Sequence, residues 1–404
     1  MAIKIADPEV LGITETSLSL AFRIEDETGA PVDAPAQVLL DGEERAQVEP
    51  CDGTRLVRIE GLEPATPYRL GLECAGAPGL EPGPYFPESI ATFPAPTTSE
   101  VSSFATLNDV HFGEKKIGGV LTEEHEYGEE APNFPVVRAR DTEIPYPRFM
   151  NSDAVADINR LGVDTVLIKG DIADRGLPEQ FEEARGVFDG FEMPHHAFLG
   201  NHDYLARARG EDVDGYALLG QPTAPRVVEL AGWRLVLLET SEPGLHHGVF
   251  GVDRIAWLEE QLVESMERES PTLLLMHHQP VPPEHADGYP NSIGIKPEDS
   301  LRLFEAVGNC PSVKGVLIGH THRNRVRYRP ESKNVPWAEV ANSKDYPGAF
   351  AHYRLFEDGS FRQEVRRISS ERALAHSTRC SNLFNGMYRH FALGPLEARS
   401  FVAP

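Results

Sequence analysis

Five short polar motifs constrain the fold of this chain more than any other feature, because each one directly follows a run of apolar residues. They are Asp109-x-His111, Gly170-Asp171-x-x-Asp174-Arg175-Gly176, Gly200-Asn201-His202-Asp203, His277-His278-Gln279-Pro280 and Gly319-His320-Thr321-His322. In open α/β sheets, ligands bind beyond the carboxyl ends of the strands. If the apolar runs are strands, the five motifs are expected to converge on one crevice.

The segments between the motifs alternate between two hydrophobic periods. Short, almost wholly apolar runs predict strands at 103–107, 165–169, 197–199, 233–238, 273–276 and 313–318. Helices are predicted at 151–161 and after Pro178. A further helix is predicted by one apolar face, which carries Ile255, Leu258, Leu262 and Met266. This alternation predicts a layered α/β domain, and the continuous apolar runs indicate strands buried on both faces.

The first 97 residues have a β pattern of their own. One face of an alternating strand carries Leu18, Leu20, Phe22 and Ile24. Short strands with turn residues between them predict an all-β sandwich. The stretch 62–72 resembles the L-x-P-x-T-x-Y-x-L segment of fibronectin type III domains, which implies that Tyr68 has a structural role. The Pro-rich stretch 93–97 is expected to link a domain at 1–97 to one at 101–365.

Two segments fall outside these patterns. Residues 113–150 have no clear period and are rich in Glu, Pro and Gly, and they are too long for an ordinary connection, so we expect a loop over a site. Residues 366–404 contain enough apolar side chains to predict a C-terminal extension that docks on the α/β domain. Both segments are expected to contribute to specificity, as loops beside rigid scaffolds often do.

The composition excludes several classes of partner. The net charge is −25 and no block rich in Lys and Arg occurs, so neither a nucleic-acid surface nor an anionic-membrane surface is expected. No apolar stretch reaches the ~18 residues of a membrane span, and no secretory signal is recognisable, so we expect the cytoplasm. The four cysteines predict free thiols, with a Cys51–Cys74 pair as the alternative for an exported chain. The oligomeric state stays open.

The side chains of the five motifs are metal ligands by type. Imidazole and carboxylate groups suit divalent first-row ions such as Mn, Fe or Zn, and the lack of thiolates in the motifs disfavours a structural zinc site. Taken singly, each motif also fits a turn or a hydrogen-bonded structural histidine. Five of them placed after strands in one chain predict a metal centre.

This ordered set resembles the calcineurin-like metallophosphoesterase superfamily, whose pattern is D-x-H, G-D-x-x-D, G-N-H-[DE], H and G-H-x-H. The resemblance covers about 101–365 and implies a β-sandwich flanked by helices that holds two divalent metal ions. It implies that the ligands of the first metal are Asp109, His111 and His322. It implies that the ligands of the second are Asn201, His277 and His320. Asp171 would bridge the two ions.

The same resemblance implies the roles of four further residues. His202 would be the general acid that protonates the leaving oxygen, and Asp174 would orient its ring. His278 would face the substrate. Arg175 would hold a phosphate oxygen or form a surface salt bridge, and the same two alternatives apply to Arg323 and Arg325. The expected mechanism is in-line attack on phosphorus by a hydroxide that bridges the metals.

A sandwich followed by a metallophosphoesterase domain also resembles the architecture of purple acid phosphatases. This chain departs from their pattern because it has Asp174 where they have Tyr, and because it has His111. The latter resembles the branch that contains bacterial cyclic-nucleotide phosphodiesterases. We therefore expect hydrolysis of a phosphodiester, such as a cyclic nucleotide or another small phosphodiester. Phosphomonoester hydrolysis is the alternative, and a non-catalytic binding scaffold is the remote one.

Overall fold

The computed structural model describes residues 2–51, 53–122, 125–132, 134–138, 144–288 and 293–404, and its N-terminal part is built from strands. These are β1 (Ile3–Ile13), β2 (Leu18–Asp26), β3 (Ala36–Leu40), β4 (Glu43–Val48), β5 (Arg55–Ile59), β6 (Pro67–Cys74) and β7 (Ser89–Ala91). They form two antiparallel sheets, in the orders β1-β2-β5 and β4-β3-β6-β7. Their inner faces share one core, to which Leu18, Leu20, Phe22 and Ile24 contribute, so the predicted alternation is confirmed.

The rest of the chain alternates strands and helices. Its strands are β8 (Glu100–Leu107), β9 (Lys116–Gly118), β10 (Val120–Thr122), β11 (His125–Glu129), β12 (Val136–Arg138), β13 (Thr165–Lys169), β14 (His195–Phe198), β15 (Arg226–Leu230), β16 (Trp233–Leu237), β17 (Thr272–Met276), β18 (Val313–Ile318), β19 (Arg325–Tyr328), β20 (Pro336–Glu339), β21 (Ala349–Phe356), β22 (Phe361–Arg367) and β23 (Ser400–Ala403). Its helices are α1 (Tyr146–Leu161), α2 (Pro178–Phe188), α3 (Leu205–Ala208), α4 (Gly215–Leu219), α5 (Val252–Glu267), α6 (Pro297–Asn309), α7 (Glu371–Ser381), α8 (Met387–Leu393) and α9 (Leu396–Arg399).

Two six-stranded sheets form the centre of this part, in the orders β14-β13-β8-β21-β22-β23 and β15-β16-β17-β18-β20-β19. Phe104, Leu167, Leu273 and Leu317 belong to the core between them. Helices α1 and α2 contribute to a second core on the outer face of the first sheet, and α5 and α6 contribute to a third on the outer face of the second. The arrangement is a layered α/β fold, as the alternation predicts.

Several local expectations need correction. Met266 is 38% exposed, although Ile255, Leu258 and Leu262 are buried on the predicted face of α5. Helix α1 begins at Tyr146, five residues before the predicted start. The described residues of 113–150 do not form one irregular loop, since they contain two small sheets, β10-β11 and β12-β9.

The C-terminal segment packs on the body of the molecule. Strand β23 pairs antiparallel with β22 and completes the edge of the first central sheet. Leu383 and Tyr388 share a core with Ile117 and Val137, so this segment also covers the small β12-β9 sheet.

Buried polar contacts join the N-terminal sheets to the α/β part. The Tyr346 hydroxyl donates a hydrogen bond to Glu9 at 2.5 Å, and Arg389 donates to the same carboxylate at 2.7 Å. The Ser400 hydroxyl accepts from the Ile13 N–H at 3.0 Å.

Two expectations about chain chemistry can be compared with the structure. All four cysteines are free, and Cys74, Cys310 and Cys380 are buried. Among the described residues, none of the helices has both the length and the apolar character that a bilayer crossing requires.

Candidate metal centre

Each of the five motifs begins where a central strand ends. Asp109 and Asp171 lie two residues after β8 and β13, and Asn201 lies three after β14. These three strands are parallel neighbours. On the facing sheet, His277 directly follows β17 and His320 lies two residues after the parallel strand β18. The carboxyl ends of both sheets therefore bring the motifs to one edge.

Four possible ligand atoms surround one point of this edge. The Nε2 of His277 lies 3.2 Å from Asn201 Oδ1, 3.3 Å from Asp171 Oδ2 and 3.2 Å from His320 Nδ1. One imidazole nitrogen cannot form good hydrogen bonds with three such atoms together. Ligands about 2.1 Å from a tetrahedral ion stand roughly 3.4 Å apart, so the spacing fits a cation at the centre of this group.

A second group of donors lies beside the first. His322 Nε2 is 3.4 Å from Asp109 Oδ1, and His111 Nε2 is 3.7 Å from Asp171 Oδ2. Asp109, His111 and His322 each offer an atom within 4.8 Å of the others. Both ring nitrogens of His111 are buried and have no hydrogen-bond partner among the described residues. These donors also fit a cation, and Asp171 faces both groups.

Backbone strain is concentrated at the same positions. Asp109, His111, Asp171, His320 and His322 all have φ between 43° and 67°, the left-handed region that side chains other than glycine rarely adopt. Such strain costs of order 1–3 kcal/mol per residue and persists where the surrounding structure imposes it, typically at functional sites. The fold therefore holds these five side chains in an orientation that the chain alone would not choose.

Hydrogen bonds from neighbouring groups orient the donors. The Nδ1 of His277 donates to the Lys169 carbonyl at 2.8 Å, which turns its Nε2 toward Asp171. The Asp109 carboxylate accepts from the His320 N–H at 2.9 and 3.0 Å and so ties two motifs together. Partners of this kind set the tautomer and direction of metal-binding histidines.

His202 lies at the rim of the centre and is the more exposed of the histidines near Asp171. Its N–H donates to Asp171 Oδ1 at 2.9 Å, and its ring Nδ1 donates to the main-chain carbonyl of Asp174 at 2.8 Å. The Asp174 carboxylate is 4.0 Å from that ring and 3.6 Å from His111 Nδ1. The close contact that orients His202 is thus the main chain of Asp174, while the carboxylate also faces His111.

The two residues predicted to contact substrate differ in their surroundings. His278 is fully buried, and its Nδ1 lies 2.9 Å from the Thr240 hydroxyl. It also belongs to a group with His277 and His320 whose ring nitrogens could share a metal. The Arg175 side chain is 30% exposed, and its Nε is 3.6 Å from Asp174 Oδ2.

The electrostatic environment separates the histidines into two kinds. Burial lowers the pKa of His111, and burial together with His277 lowers the pKa of His320 to about 3, so both rings are neutral, as metal ligands must be. Burial also disfavours the charged forms of His277 and His202. For these two residues the attraction of the Asp171 carboxylate is stronger than the effect of burial. It raises the pKa of His277 to about 9 and the pKa of His202 above its ordinary value.

Two residues that support the centre were given no role from sequence. Asp203 accepts hydrogen bonds from the N–H groups of Ile172, Ala173 and Gly200 at 2.7 to 2.9 Å, so it joins two motif loops. Its place inside Gly200-Asn201-His202-Asp203 was the available signal. Lys169 is fully buried, and its Nζ donates to the Ile318 carbonyl at 2.7 Å across the two sheets. Nothing in the local sequence indicates that contact.

Comparisons with known proteins identify several chains that are similar to this one. Over 211 residues, the chain is 28% identical to a probable cyclic nucleotide phosphodiesterase of Synechococcus sp., covering 52% of this chain and 78% of the relative. Over 229 residues, it is 26% identical to the 3′,5′-cyclic adenosine monophosphate phosphodiesterase CpdA of Escherichia coli K12, covering 52% and 76%. Among solved structures, purple acid phosphatase PPD1 from yellow lupin aligns with a TM-score of 0.44 and 13% identity, covering 92% of this chain and 73% of that one.

A family model described as calcineurin-like phosphoesterase matches residues 103–324, more than half of the chain. The matched segment contains all five motifs, four of the strands that precede them and most of β8. The chain belongs to the calcineurin-like phosphoesterase family.

Proposed function

We propose that this protein is a metal-dependent phosphoesterase that hydrolyses a small phosphodiester. The observation that carries the proposal is the meeting of seven buried or partly buried donors at one sheet edge, with His202 at their rim. The relatives named as cyclic nucleotide phosphodiesterases favour a diester over a monoester as substrate.

The proposed ligands fall into two sets that share one carboxylate. Asp109, His111 and His322 would hold one divalent ion, Asn201, His277 and His320 would hold a second, and Asp171 would bridge them. Manganese, iron and zinc all suit these imidazole and oxygen donors. A pair of such ions supplies Lewis-acid stabilisation of the phosphoryl group and a water made acidic near neutral pH.

The residues of the chain supply the proton and the orientation. His202 would donate a proton from Nε2 to the leaving oxygen, because its Nδ1 is already bound to the Asp174 carbonyl. Its main-chain bond to Asp171 would keep the acid beside the bridging carboxylate. His278 and Arg175 remain proposed substrate contacts, with Arg175 the more exposed of the two.

We also propose a three-part organisation, with domains at 1–97 and 101–365 and a C-terminal extension at 366–404. The sheet orders β1-β2-β5 and β4-β3-β6-β7 support a fibronectin type III-like first domain. The Tyr68 hydroxyl accepts a hydrogen bond from the Glu63 N–H at 2.9 Å, the contact expected of that fold's structural tyrosine. The free cysteines support a cytoplasmic location.

The test of the activity uses two substrates. Hydrolysis of bis-p-nitrophenyl phosphate and of p-nitrophenyl phosphate is measured with added Mn²⁺ and again after chelation. We expect faster turnover of the diester, lost on chelation and restored by metal. Faster turnover of the monoester would overturn the diester assignment, and no turnover of either substrate with metal present would favour a non-catalytic scaffold.

A further inference from the structure

Arginines recur at every second position just after the last motif. Arg323, Arg325 and Arg327, named here the arginine stripe, enter and run along β19, the edge strand of the second central sheet. Alternate residues of a strand point to the same face. Arg325 and Arg327 therefore lie on the same face of β19, and Arg323 lies two residues before the strand, in a chain whose net charge is −25.

One carboxylate serves all three groups. Fully buried Glu339 on β20 lies 2.7 Å from Arg325 Nη2, 3.1 Å from Arg327 Nη2 and 3.5 Å from Arg323 Nε. Among the residues that the structure describes, no other carboxylate lies within ion-pair distance of the stripe. Two positive charges are thus in excess, and burial together with the neighbouring arginines lowers the pKa of Arg327 to about 10. An anion would relieve this crowding.

The stripe lies next to the metal centre. Arg323 directly follows the proposed ligand His322, and the Arg327 guanidinium donates to the Pro280 carbonyl at 3.2 Å, three residues after His277. Between 22% and 29% of each of the three side chains is exposed. The Arg323 guanidinium lies over the Phe391 ring at 4.9 Å, a contact that restrains its position.

We propose that the arginine stripe binds a second phosphate group of the substrate, adjacent to the diester that reacts at the metal centre. The inference rests on the proposed function and narrows its substrate class to phosphodiesters that carry a further phosphate. Guanidinium groups match phosphate oxygens in a bidentate manner, and such charge-assisted bonds are about twice as strong as neutral ones.

The first test compares two substrates that share one scissile diester, the dinucleotide ApA and its 5′-phosphorylated form pApA, with the Mn²⁺-loaded protein. We expect kcat/KM to be about tenfold higher for pApA than for ApA, because its KM is lower. Arg325→Gln should remove that preference and Arg325→Lys should retain part of it. Arg268→Gln is the matched control, since Arg268 is an exposed residue just after α5, paired with Glu229 and Glu264. Equal kcat/KM for the two substrates with the unaltered protein would refute the proposal that the arginine stripe binds a second phosphate.

The second test measures binding of inorganic pyrophosphate by calorimetry to chelated protein whose fold is checked by circular dichroism. We expect at least tenfold weaker binding in Arg323→Gln and Arg325→Gln and no change in Arg268→Gln. If the two substitutions weaken pyrophosphate binding but the unaltered protein hydrolyses neither dinucleotide, the anion site is supported and the proposed function is refuted. If the protein hydrolyses the diester but binds pyrophosphate equally well with and without the two substitutions, the anion site is refuted and the proposed function is not.

Discussion

Replacing His202 by alanine tests its proposed role as proton donor separately from the proposed metal ligands. The change leaves the main-chain N–H that binds Asp171 at 2.9 Å, so the proposed bridging carboxylate keeps this contact. The His202 side chain is 25% exposed, so its removal opens no closed cavity, and the lost bond to the Asp174 carbonyl costs about 1 kcal/mol of stability. We therefore expect a folded variant that retains its metals.

The rate should fall according to how much the leaving group needs a proton. A positioned general acid contributes ~10²–10⁴-fold, which corresponds to about 3–5 kcal/mol of activation free energy. We expect a loss of that size for a diester with an alkoxide leaving group and little loss for nitrophenolate, which departs without protonation. The assay is kcat for both substrates, with metal content measured on the same samples.

The pH dependence supplies a second readout of the same substitution. Burial disfavours the charged ring, but Asp171 and Asp174 raise the pKa of His202 above 6.5. The acid is protonated below that raised pKa, so alkoxide hydrolysis should fall as the pH increases through it. His202→Ala should lack this falling limb. Equal losses for alkoxide and nitrophenolate, or an unchanged limb, would refute the role of His202.

Three further predictions concern metal loading and stability. Asp171→Ala should lose activity and both metals together, because its carboxylate faces both donor groups; two tightly bound metals in elemental analysis of the variant would contradict the bridge. Metal binding should release at least one proton near pH 7.5, because Asp171 raises the pKa of His277 to about 9 and the ligand form of this histidine is neutral. Calorimetry in buffers of different ionisation enthalpy would count the protons released, and no release would contradict the assignment. Burial lowers the pKa of His352 to about 3, so the unfolded chain binds a proton below pH 6.5 that the folded chain does not. The free energy of unfolding, measured with urea, should therefore be about 2 kcal/mol smaller at pH 5 than at pH 7.5 because of this residue. His352→Gln should remove that part of the loss.

The position of each motif at the end of a strand could be predicted, because the motif and the apolar run before it are adjacent in the sequence. A short apolar run specifies a buried strand, and polar residues directly after it must lie at the end of that strand. Asp109, Asp171, Asn201, His277 and His320 could therefore be placed at one edge before any contact was known. The face of α5 was predicted for the same reason, apart from Met266 at its last turn, which is 38% exposed.

Contacts between segments that are far apart in the sequence could not be predicted in this way. Strand β8 pairs antiparallel with β21, so Thr106 meets Ala351, and β23 joins β22 at the far end of the chain. No period in the sequence encodes which strands become neighbours. The same holds for the shared partner Glu339, which turns three separate arginines into one charged group.

The sequence by itself determined the types of the candidate ligand residues, their order and their positions after strands, because residue chemistry and hydrophobic period are properties of short segments. Only the tertiary structure decided which atoms face one another. It placed the Asp174 carboxylate nearer to His111 than to His202 and forced five donors into left-handed backbone conformations. Packing of the two sheets sets those distances, and packing depends on the whole chain at once.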